Sequence, residues 1–331
     1  MDAPLALTMG DPAGVGPEIT LKAWSALRES GPPFVWIGPA EPLRAAGAVT
    51  IAAVDAPADA AAAFAEAIPV WTPPGASAES PNGVAEMIAA AVDLTLQGEA
   101  SAVVTNPIRK ASLAAAGLTY PGHTEYVAAL SADAALPHGF DRGPAMMMRS
   151  AALTTVLATI HLPLRAVPEL ITRENVLRVI LLTEQSLRRD FGVERPRVLV
   201  CGLNPHAGED GLLGAEDRAE ITPAVEAARD AGVDAVGPVA GDAAFRSGAL
   251  SSFDAAVAMY HDQGLIPVKT LDFHGTVNVT IGLPIVRTSP DHGVGLDIVG
   301  KGIARPDSLI AALKTADEMT RNRARFDAGP A

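Results

Sequence analysis

The chain has a single cysteine, few aromatic residues and a deficit of positive charge. Cys201 is the only cysteine among 331 residues, which excludes a disulfide within the chain. Its apolar surroundings in "RVLVCGLN" predict an inert core thiol in a reducing compartment. Any metal site must therefore be built from histidines and carboxylates. Lys and Arg number 25 against 38 Asp and Glu, a formal net charge of −13. This charge repels polyanions and anionic membranes and argues against nucleic acid as a partner.

Long apolar runs are also missing. No stretch is long and uncharged enough to cross a bilayer, and "MDAPLALTMGDPAG" shows no basic segment followed by an apolar one. We therefore expect a cytoplasmic protein that does not engage a membrane. The hydrophobic residues nevertheless reach 49%, with a mean hydropathy of +0.23. A chain of this length and composition can bury a large core, as two domains or one bilobed unit.

Short apolar runs alternate with helical periods along the chain. The runs are LALTM, FVWIG, SAVVTNP, LTTVLATI, RVLVCGLN, DAAVAMY and TVNVTIGLP. Their alternation with helical segments predicts mostly parallel sheets covered by helices on both faces, an α/β fold.

The helical segments differ in how strongly their pattern is marked. We expect helices over 17–29 and 82–98, and a long helix from near Ala166 to a stop at Gly192. A further helix near the carboxyl end presents an apolar stripe that includes Leu309, Leu313 and Met319. The alanine-rich stretch 52–67 predicts a surface helix or a poorly specified connection.

Three histidines share one context, because His161, His206 and His261 each follow a predicted strand. In open α/β sheets, ligand-binding groups collect at the carboxyl ends of strands, so three such ends could form one site. Three neutral imidazoles make a plausible site for a catalytic divalent metal. Any one of them alone is explained as well by a structural role in a loop or core. The pair His261-Asp262 could be a metal ligand, an acid or base, or only a capping pair at a loop.

A second group of residues is basic and polar. His123 and Thr124 in "YPGHTEY" precede a helical run, where free backbone amides attract phosphate or carboxylate. Lys269, Asn278 and Arg287 follow at nine-residue intervals and are candidates for a local positive field. The alternatives are that Thr124 is an ordinary helix cap and that the basic residues are solvated surface groups.

Two glycine-rich stretches are expected to be loops near a ligand. "TMGDPAGVGPEI" follows the first strand and opens a helix, but it lacks the third glycine of a dinucleotide fingerprint, so we interpret it as a shaped turn. "DHGVGLDIVGKGIARP" has the composition of a loop that lets backbone approach a ligand closely.

Five of these stretches together carry a resemblance. "GDPAGVGPEI", "YPGHTEY", "CGLNPHAGEDG", "AMYHDQGLIPVKTL" and "VNVTIGLPIVRTSPDHG" resemble, in order, motifs of the 4-hydroxythreonine-4-phosphate dehydrogenase family of pyridoxal phosphate biosynthesis. The resemblance implies the fold of the isocitrate and isopropylmalate dehydrogenases, with two α/β/α lobes around a cleft. We expect one lobe to comprise residues 1–125 plus 262–331 and the other residues 126–261.

The resemblance also implies roles for individual residues. A divalent metal (Zn, Mg or Co) would be held by His161, His206 and His261, with one histidine supplied by the partner in a homodimer. A phosphorylated substrate would be bound by His123, Thr124, Lys269, Asn278 and Arg287. The adenosine of NAD or NADP would be received by a loop containing His292, Gly293 and Asp297. At Val294, Gly295, Leu296 and Val299 this loop departs from the pattern "HG(S/T)A(P/F)DIAGKG" of the related dehydrogenases.

The chemistry implied is oxidation of 4-phosphohydroxy-L-threonine at C3 followed by decarboxylation to 3-amino-2-oxopropyl phosphate and carbon dioxide. A metal bound at the C3 oxygen would act as Lewis acid in both steps. Lys269, or a water relayed through Asp242, would take the hydroxyl proton.

Several alternatives stay open at this point. A paralogue could oxidise 4-phospho-D-threonate, 4-phospho-D-erythronate or a cyclic dihydrodiol carboxylate with the same signatures. A metal-dependent lyase or hydrolase would need no nicotinamide, and the altered residues at 294–296 favour it. A phosphate-binding module without turnover would use the three histidines structurally. Metal binding together with NADH formation would separate the dehydrogenases from the last two.

Overall fold

The computed structural model describes residues 3–47, 50–77, 80, 82–120 and 122–329; Pro121 of the motif "YPGHTEY" therefore lies outside the described residues. Within these ranges the strands are β1 (Leu5–Thr8), β2 (Phe34–Ile37), β3 (Ile51–Ala53), β4 (Ile68–Trp71), β5 (Ala102–Thr105), β6 (Ala145–Arg149), β7 (Thr154–Leu157), β8 (Arg197–Cys201), β9 (Asp234–Val239), β10 (Ala255–Ala258), β11 (Val277–Ile281) and β12 (Arg287–Pro290).

The α-helices of the same ranges alternate with these strands. They are α1 (Gly16–Leu27), α2 (Glu41–Ala46), α3 (Ala60–Ala63), α4 (Gly83–Leu96), α5 (Lys110–Ala115), α6 (His123–Leu130), α7 (Val167–Leu170), α8 (Arg173–Arg189), α9 (Thr222–Asp230), α10 (Gly241–Ala244), α11 (His261–Leu271) and α12 (Asp307–Asp327). Among the described residues, no helix combines the length and the apolar character needed to cross a membrane.

The chain forms two compact units, each discontinuous in sequence. Unit 1 comprises Met1–Leu136 and Leu283–Thr320, and unit 2 comprises Pro137–Gly282 and Arg321–Ala331. Residues 126–136, which we expected in the second lobe, fall in unit 1, and residues 321–331, expected in the first lobe, fall in unit 2. Residues 262–282, which we also expected in the first lobe, fall in unit 2. The reason is that α11 packs on β6, β7 and β10 of that unit and that β11 pairs with β6.

Unit 1 is built on a parallel sheet with the strand order β3-β4-β2-β1-β5-β12. Strands β1, β2 and β5 are buried along their whole length, as expected for parallel strands covered on both faces. Helix α4 packs on β1, β2 and β5. The turn after β1 needs glycine at position 10, where φ is +73° and a Cβ would lie 2.6 Å from the Cβ of Asn106.

Unit 2 has three layers, with a mixed sheet between helices on its two faces. Its strand order is β11-β6-β7-β10-β8-β9, antiparallel at β11/β6 and β6/β7 and parallel from β7 onward. Alternate strand residues such as Met146, Leu157 and Leu199 form a core with Leu265 and Val268 of α11. Helix α8 contacts β7, β8 and β10, and because successive strand residues point to opposite faces, it covers the other face.

The sequence patterns located most of these elements, with three corrections. The helix expected from Ala166 to Gly192 is interrupted, because Thr172 caps a new helix at Arg173 by accepting a hydrogen bond from the Asn175 amide at 3.2 Å. The alanine-rich stretch 52–67 contains the end of β3 and only a short helix, Ala60–Ala63. Strands β3, β4, β6, β9 and β12 were not anticipated.

The end of α12 is attached to unit 2 by a buried ion pair. Asp190 is 2% exposed, and its carboxylate accepts hydrogen bonds from Arg323 Nε at 2.5 Å and from Ser186 Oγ at 2.6 Å. Asn322 donates to the Asp190 carbonyl at 3.0 Å. Removing one partner of such a pair leaves an uncompensated buried charge, so residues 321–327 are an integral part of unit 2.

Candidate active site

Three neighbouring strands of unit 2 end at one edge of its sheet and carry the three predicted histidines. β10 lies between β7 and β8 and runs parallel to both, so the loops after their carboxyl ends leave from the same edge. The ends of β7 and β10 are tied together because Ala158 N donates to Ala258 O at 2.8 Å and Thr159 Oγ1 donates to Met259 O at 2.7 Å.

These bonds bring His161 and His261 side by side. Their ring centroids lie 5.6 Å apart with an interplanar angle of 44°, and both rings line a pocket of about 440 Å³. The remaining lining residues are Ile160, Leu162, Leu164, Val167, Tyr260 and Asp262. A pocket of this size with apolar walls and a few convergent polar groups is typical of small-molecule sites.

The side chain of His261 is oriented by its neighbour in sequence. His261 Nδ1 lies 2.7 Å from Asp262 Oδ1, and an ionised carboxylate can only accept a hydrogen bond. Nδ1 must then carry the proton, which leaves the lone pair of His261 on Nε2. This imidazole-carboxylate arrangement is common among metal-bound histidines, because the carboxylate selects the tautomer and raises ligand basicity. The pair of rings therefore fits two ligands of a divalent metal.

His206 has a different setting from the other two histidines. It is exposed in the loop after β8 and adopts φ +53°. Across the described residues, no set of three His, Cys, Asp or Glu side chains is arranged so that it could hold a metal ion. The structure thus brings together two of the three predicted ligands within one chain.

The other residues predicted from unit 2 lie on elements next to this pair. Lys269 is half-buried on α11, the helix that begins at His261, and its Nζ lies 5.4 Å from the centroid of the Phe273 ring. Asp242 is exposed in the first turn of α10. Asn278 lies on β11, and its Oδ1 is buried with no hydrogen-bond partner among the described residues.

A second cluster, in unit 1, joins two of the predicted anion-binding residues. Arg287 begins β12 and is only 2% exposed, and its Nη2 donates to Thr105 Oγ1 at 2.7 Å. Burial lowers the pKa of Arg287 to about 10, an effect that the charge of Glu125 partly offsets, so the guanidinium stays charged at neutral pH.

His123 lies close enough to Arg287 to be affected by its charge. Burial, and then the charge of Arg287, lower the pKa of His123 well below its ordinary value. Part of the residue reaches solvent, but its Nε2 is enclosed and has no hydrogen-bond partner in the described part of the chain. A buried cation beside an unsatisfied imidazole nitrogen is suited to an anionic ligand.

Thr124 does not cap the following helix, so that alternative is wrong. The N-cap of α6 is Gly122, and no side chain caps it. Thr124 is the second residue of the helix, where its backbone amide belongs to the first turn and has no partner within the helix. An anion at the start of α6 could therefore use it.

The predicted cofactor loop packs on the amino end of α1. His292, Gly293 and Asp297 are exposed. Val15 N donates to Val294 O at 2.9 Å, and Lys22 Nζ donates to the carbonyls of Gly302 and Ala304 at 2.8 and 2.6 Å. Glu18 accepts a longer bond from Gly300 N at 3.3 Å. Hydrogen bonds thus join the two glycine-rich stretches, residues 8–19 and 291–306.

Sequence reasoning missed several residues that organise these sites. Thr105 and Lys22 act through hydrogen bonds between segments distant in sequence, which no local pattern reveals. Asp217 is 1% exposed, and its only signal in "GAEDRAEI" is a charged residue among other charged residues. Gln263 follows the singled-out His261-Asp262 pair and could have been included with it.

Comparison with known proteins shows the family to which this chain is similar. Residues 32–316 match the model of the family described as "Pyridoxal phosphate biosynthetic protein PdxA". A protein from Caulobacter vibrioides named 4-hydroxythreonine-4-phosphate dehydrogenase is 50% identical over 329 residues, which cover 97% of this chain and 98% of that protein.

Solved structures agree with this assignment. The crystal structure of 4-hydroxythreonine-4-phosphate dehydrogenase from Klebsiella pneumoniae aligns with a TM-score of 0.82 at 35% identity, covering 96% of this chain and all of that one. Isocitrate dehydrogenase from Methylococcus capsulatus aligns with a TM-score of 0.50 at 17% identity, over 98% of this chain and 89% of that one, which shows the fold alone. The predicted α/β fold of the isocitrate dehydrogenase type is confirmed. The chain belongs to the family of the pyridoxal phosphate biosynthetic protein PdxA, whose relatives named above are dehydrogenases.

Proposed function

We propose that this protein oxidises 4-phosphohydroxy-L-threonine at C3 with NAD or NADP, followed by decarboxylation to 3-amino-2-oxopropyl phosphate, in pyridoxal 5'-phosphate biosynthesis. The observation that carries the proposal is the adjacent pair His161 and His261 at two strand ends. This pair occurs in a chain half identical to a protein named 4-hydroxythreonine-4-phosphate dehydrogenase. The fold alone would not support it, since one fold serves many reactions.

His161 and His261 would hold a divalent metal together with His206. Because His206 does not join the other two within one described chain, we propose that a homodimer completes the site. Imidazole ligands suit zinc or cobalt better than magnesium, which prefers oxygen ligands. When bound, the metal would lower the pKa of the substrate alcohol and polarise the ketone, and the nicotinamide would accept the hydride.

His123 and Arg287 would bind the phosphate of the substrate, with Thr124 contributing from the first turn of α6. The buried guanidinium offers charge and fixed direction, and the neutral imidazole can donate one hydrogen bond. Lys269 and Asn278 would be further substrate-binding residues. The unsatisfied Asn278 Oδ1 is an acceptor, which suits the ammonium group of an amino acid substrate better than it suits a phosphate.

A base must take the proton of the C3 hydroxyl. We propose Lys269 in this role ahead of a water relayed through Asp242. Lys269 is half-buried on the helix that begins at the metal ligand His261, whereas Asp242 is exposed on a separate short helix. A catalytic base must come within hydrogen-bond reach of the reacting hydroxyl, which favours the residue on the same helix as His261.

His292, Gly293 and Asp297 would receive the adenosine of the cofactor. The support is the attachment of their loop to α1 through Val15 and Lys22, which gives exposed backbone a defined position. The cytoplasm fits the proposal, because the thiol of Cys201 is buried and free and the reaction needs no membrane.

The proposal is tested by NADH formation with three substrates: 4-phosphohydroxy-L-threonine, 4-phospho-D-threonate and 4-phospho-D-erythronate. Each is assayed with added zinc or cobalt and again after chelation. We expect turnover confined to the amino acid and lost on chelation. A preference for either hydroxy acid would make the protein a paralogue with the same fold. Absence of NADH and NADPH formation with all three would refute the dehydrogenase and favour a lyase, hydrolase or binding protein.

A further inference from the structure

The loop after β8 contains a rare backbone conformation. Five consecutive residues from His206 to Asp210 have φ between +43° and +81°, and within this run only Gly208 is a glycine. In the left-handed region the Cβ of an L-residue crowds the backbone, so such residues normally occur singly. A run that includes four non-glycine residues must be imposed by its surroundings, and strain of this kind is concentrated at functional sites.

The backbone just before this run is held by Asp217. Its carboxylate is 1% exposed. One oxygen accepts from Leu203 N at 2.8 Å, and the other accepts from Asn204 N at 3.1 Å and from Asn204 Nδ2 at 2.9 Å. The backbone amides of Leu203 and Asn204, the two residues before Pro205, are therefore held by one buried carboxylate. Hydrogen bonds from backbone amides to a carboxylate are roughly twice as strong as bonds between neutral groups.

The loop also packs closely around Asp217. A Cβ on Gly202 would lie 2.6 Å from Asp217 Oδ1 and 2.9 Å from the Cα of Ala207. A Cβ on Gly208 would lie 3.2 Å from the Cβ of Asp217. The loop thus closes around the carboxylate, with a glycine at each of the two closest approaches.

Asp217 itself is positioned by an unusual turn. It begins a single turn of π-helix, Asp217–Ile221, directly before α9, and Thr222 Oγ1 donates to its carbonyl at 2.9 Å. Isolated π-turns are uncommon and are frequent at functional sites. The wide turn places the Asp217 carboxylate beneath the loop.

The same loop is joined to the strand end that carries His261. Gln263 Oε1 accepts from Met259 N at 2.7 Å, and Gln263 Nε2 donates to Gly202 O at 2.7 Å. One side chain therefore connects the backbone two residues before His261 with the backbone four residues before His206. The backbone before His206 is thus bonded to Asp217 and, through Gln263, to the end of the strand that carries His261.

We propose that Asp217 is a positioning residue for His206: its buried carboxylate holds the left-handed segment His206–Asp210 in the conformation that presents the His206 ring to a metal. The proposal rests on the proposed function, in which His206 is a metal ligand. Asp217 does not touch the metal or the substrate. A merely structural acceptor would need neither the run of strained residues nor the connection to the His261 strand end.

The test uses the full-length protein with zinc and cobalt alone as probes. Asp217→Asn keeps the side-chain volume but replaces one acceptor oxygen with a donor facing the loop amides. We expect metal affinity, measured by competition with a chromophoric chelator, to fall tenfold to a hundredfold, and the absorption spectrum of bound cobalt to change. Asp230→Asn, the same change at an exposed position at the end of α9, should leave both unchanged.

A rescue variant separates positioning from general stabilisation. Ala207 has φ +52°, and Ala207→Gly removes the steric cost of that conformation. We expect Asp217→Asn with Ala207→Gly to regain part of the lost affinity, and the urea midpoints of the single and double variants show whether overall stability changed with it. If Asp217→Asn does not fold, Asn204→Ala removes one of the three bonds to the carboxylate and should lower affinity severalfold.

Two outcomes overturn the proposal in different ways. If Asp217→Asn or, failing that, Asn204→Ala binds metal like the wild type while His206→Ala does not, then Asp217 has no positioning role and the metal site stands. If His206→Ala itself binds metal like the wild type, then His206 is not a ligand, and the metal assignment fails together with the role of Asp217.

Discussion

Replacing Arg287 with methionine should make the ligand-free protein no less stable while weakening the binding of phosphorylated ligands. Burial lowers the pKa of Arg287 from 12.5 to about 10, which corresponds to about 3 kcal/mol by which the folded state disfavours the charged form. Methionine removes this cost and keeps most of the apolar stem. The losses include the bond to Thr105 Oγ1 at 2.7 Å, worth about 1–2 kcal/mol. Because the burial cost is the larger of these two contributions, we expect the ligand-free variant to be no less stable than the wild type.

The assay is urea unfolding of wild type and Arg287→Met, each with and without inorganic phosphate. Phosphate at a hundred times its Kd should stabilise the wild type by about 2.7 kcal/mol and the variant by much less. In turnover, KM for the phosphorylated substrate should rise, because a ground-state anion contact supplies binding. Arg287→Lys, which keeps the charge, is the matched control and should retain part of the phosphate effect. A variant that is less stable than the wild type without ligand, or that is stabilised by phosphate as much as the wild type, would refute this reasoning.

Four further outcomes are expected. His206→Ala should lower the zinc content after gel filtration and abolish turnover without lowering the urea midpoint, and full zinc content would contradict its role. The pKa of His123 is held below its ordinary value, so the folded state binds fewer protons than the unfolded state below about pH 6.5. The free energy of unfolding should therefore fall on acidification by at most about 1.4 kcal/mol per pH unit. His123→Gln should flatten this dependence, and an unchanged slope would exclude His123 as its source. Lys22→Met should raise KM for the dinucleotide severalfold and speed hydrogen exchange in residues 300–304, with KM for the other substrate unchanged; equal effects on both KM values would indicate a general loss of structure. Burial raises the pKa of the Cys201 thiol to about 12, so a thiol reagent should react with it only after unfolding.

The sequence predicted the elements whose patterns are local. Parallel strands such as β1 and β10 appear as continuous apolar runs because both of their faces are covered, and α12 appears as a regular apolar stripe because one face packs. β6, with the sequence AMMMR, was missed because methionine has weak strand propensity and the prolines and glycines around it suggest a loop. The break before α8 was missed because the apolar period continues across Thr172, while a capping bond decides where the helix begins.

The site was predictable to the extent that function follows from strand ends. His161 and His261 follow paired parallel strands, so strand order alone brings them together, and the histidine-carboxylate pair was visible in "YHDQG". The partner of Arg287 and the carboxylate beneath the loop of His206 were not predictable in this way. Thr105 and Asp217 act over 182 and 14 residues of sequence separation, and neither residue type carries a periodic signal. The conformation of the loop at His206 depends on buried acceptors, which composition does not reveal.

The discontinuity of the two units bears on the order in which they can fold during synthesis. The sheet of unit 1 lacks β12 (Arg287–Pro290) until the ribosome has already translated the whole of Pro137–Gly282. Unit 2 therefore has all of its strands before unit 1 does. Asp190, however, receives Arg323 from a segment that is translated after every strand of both sheets, so its buried carboxylate has no cationic partner from this helix until then. A chain that stops before Arg323 would leave this buried carboxylate without that partner.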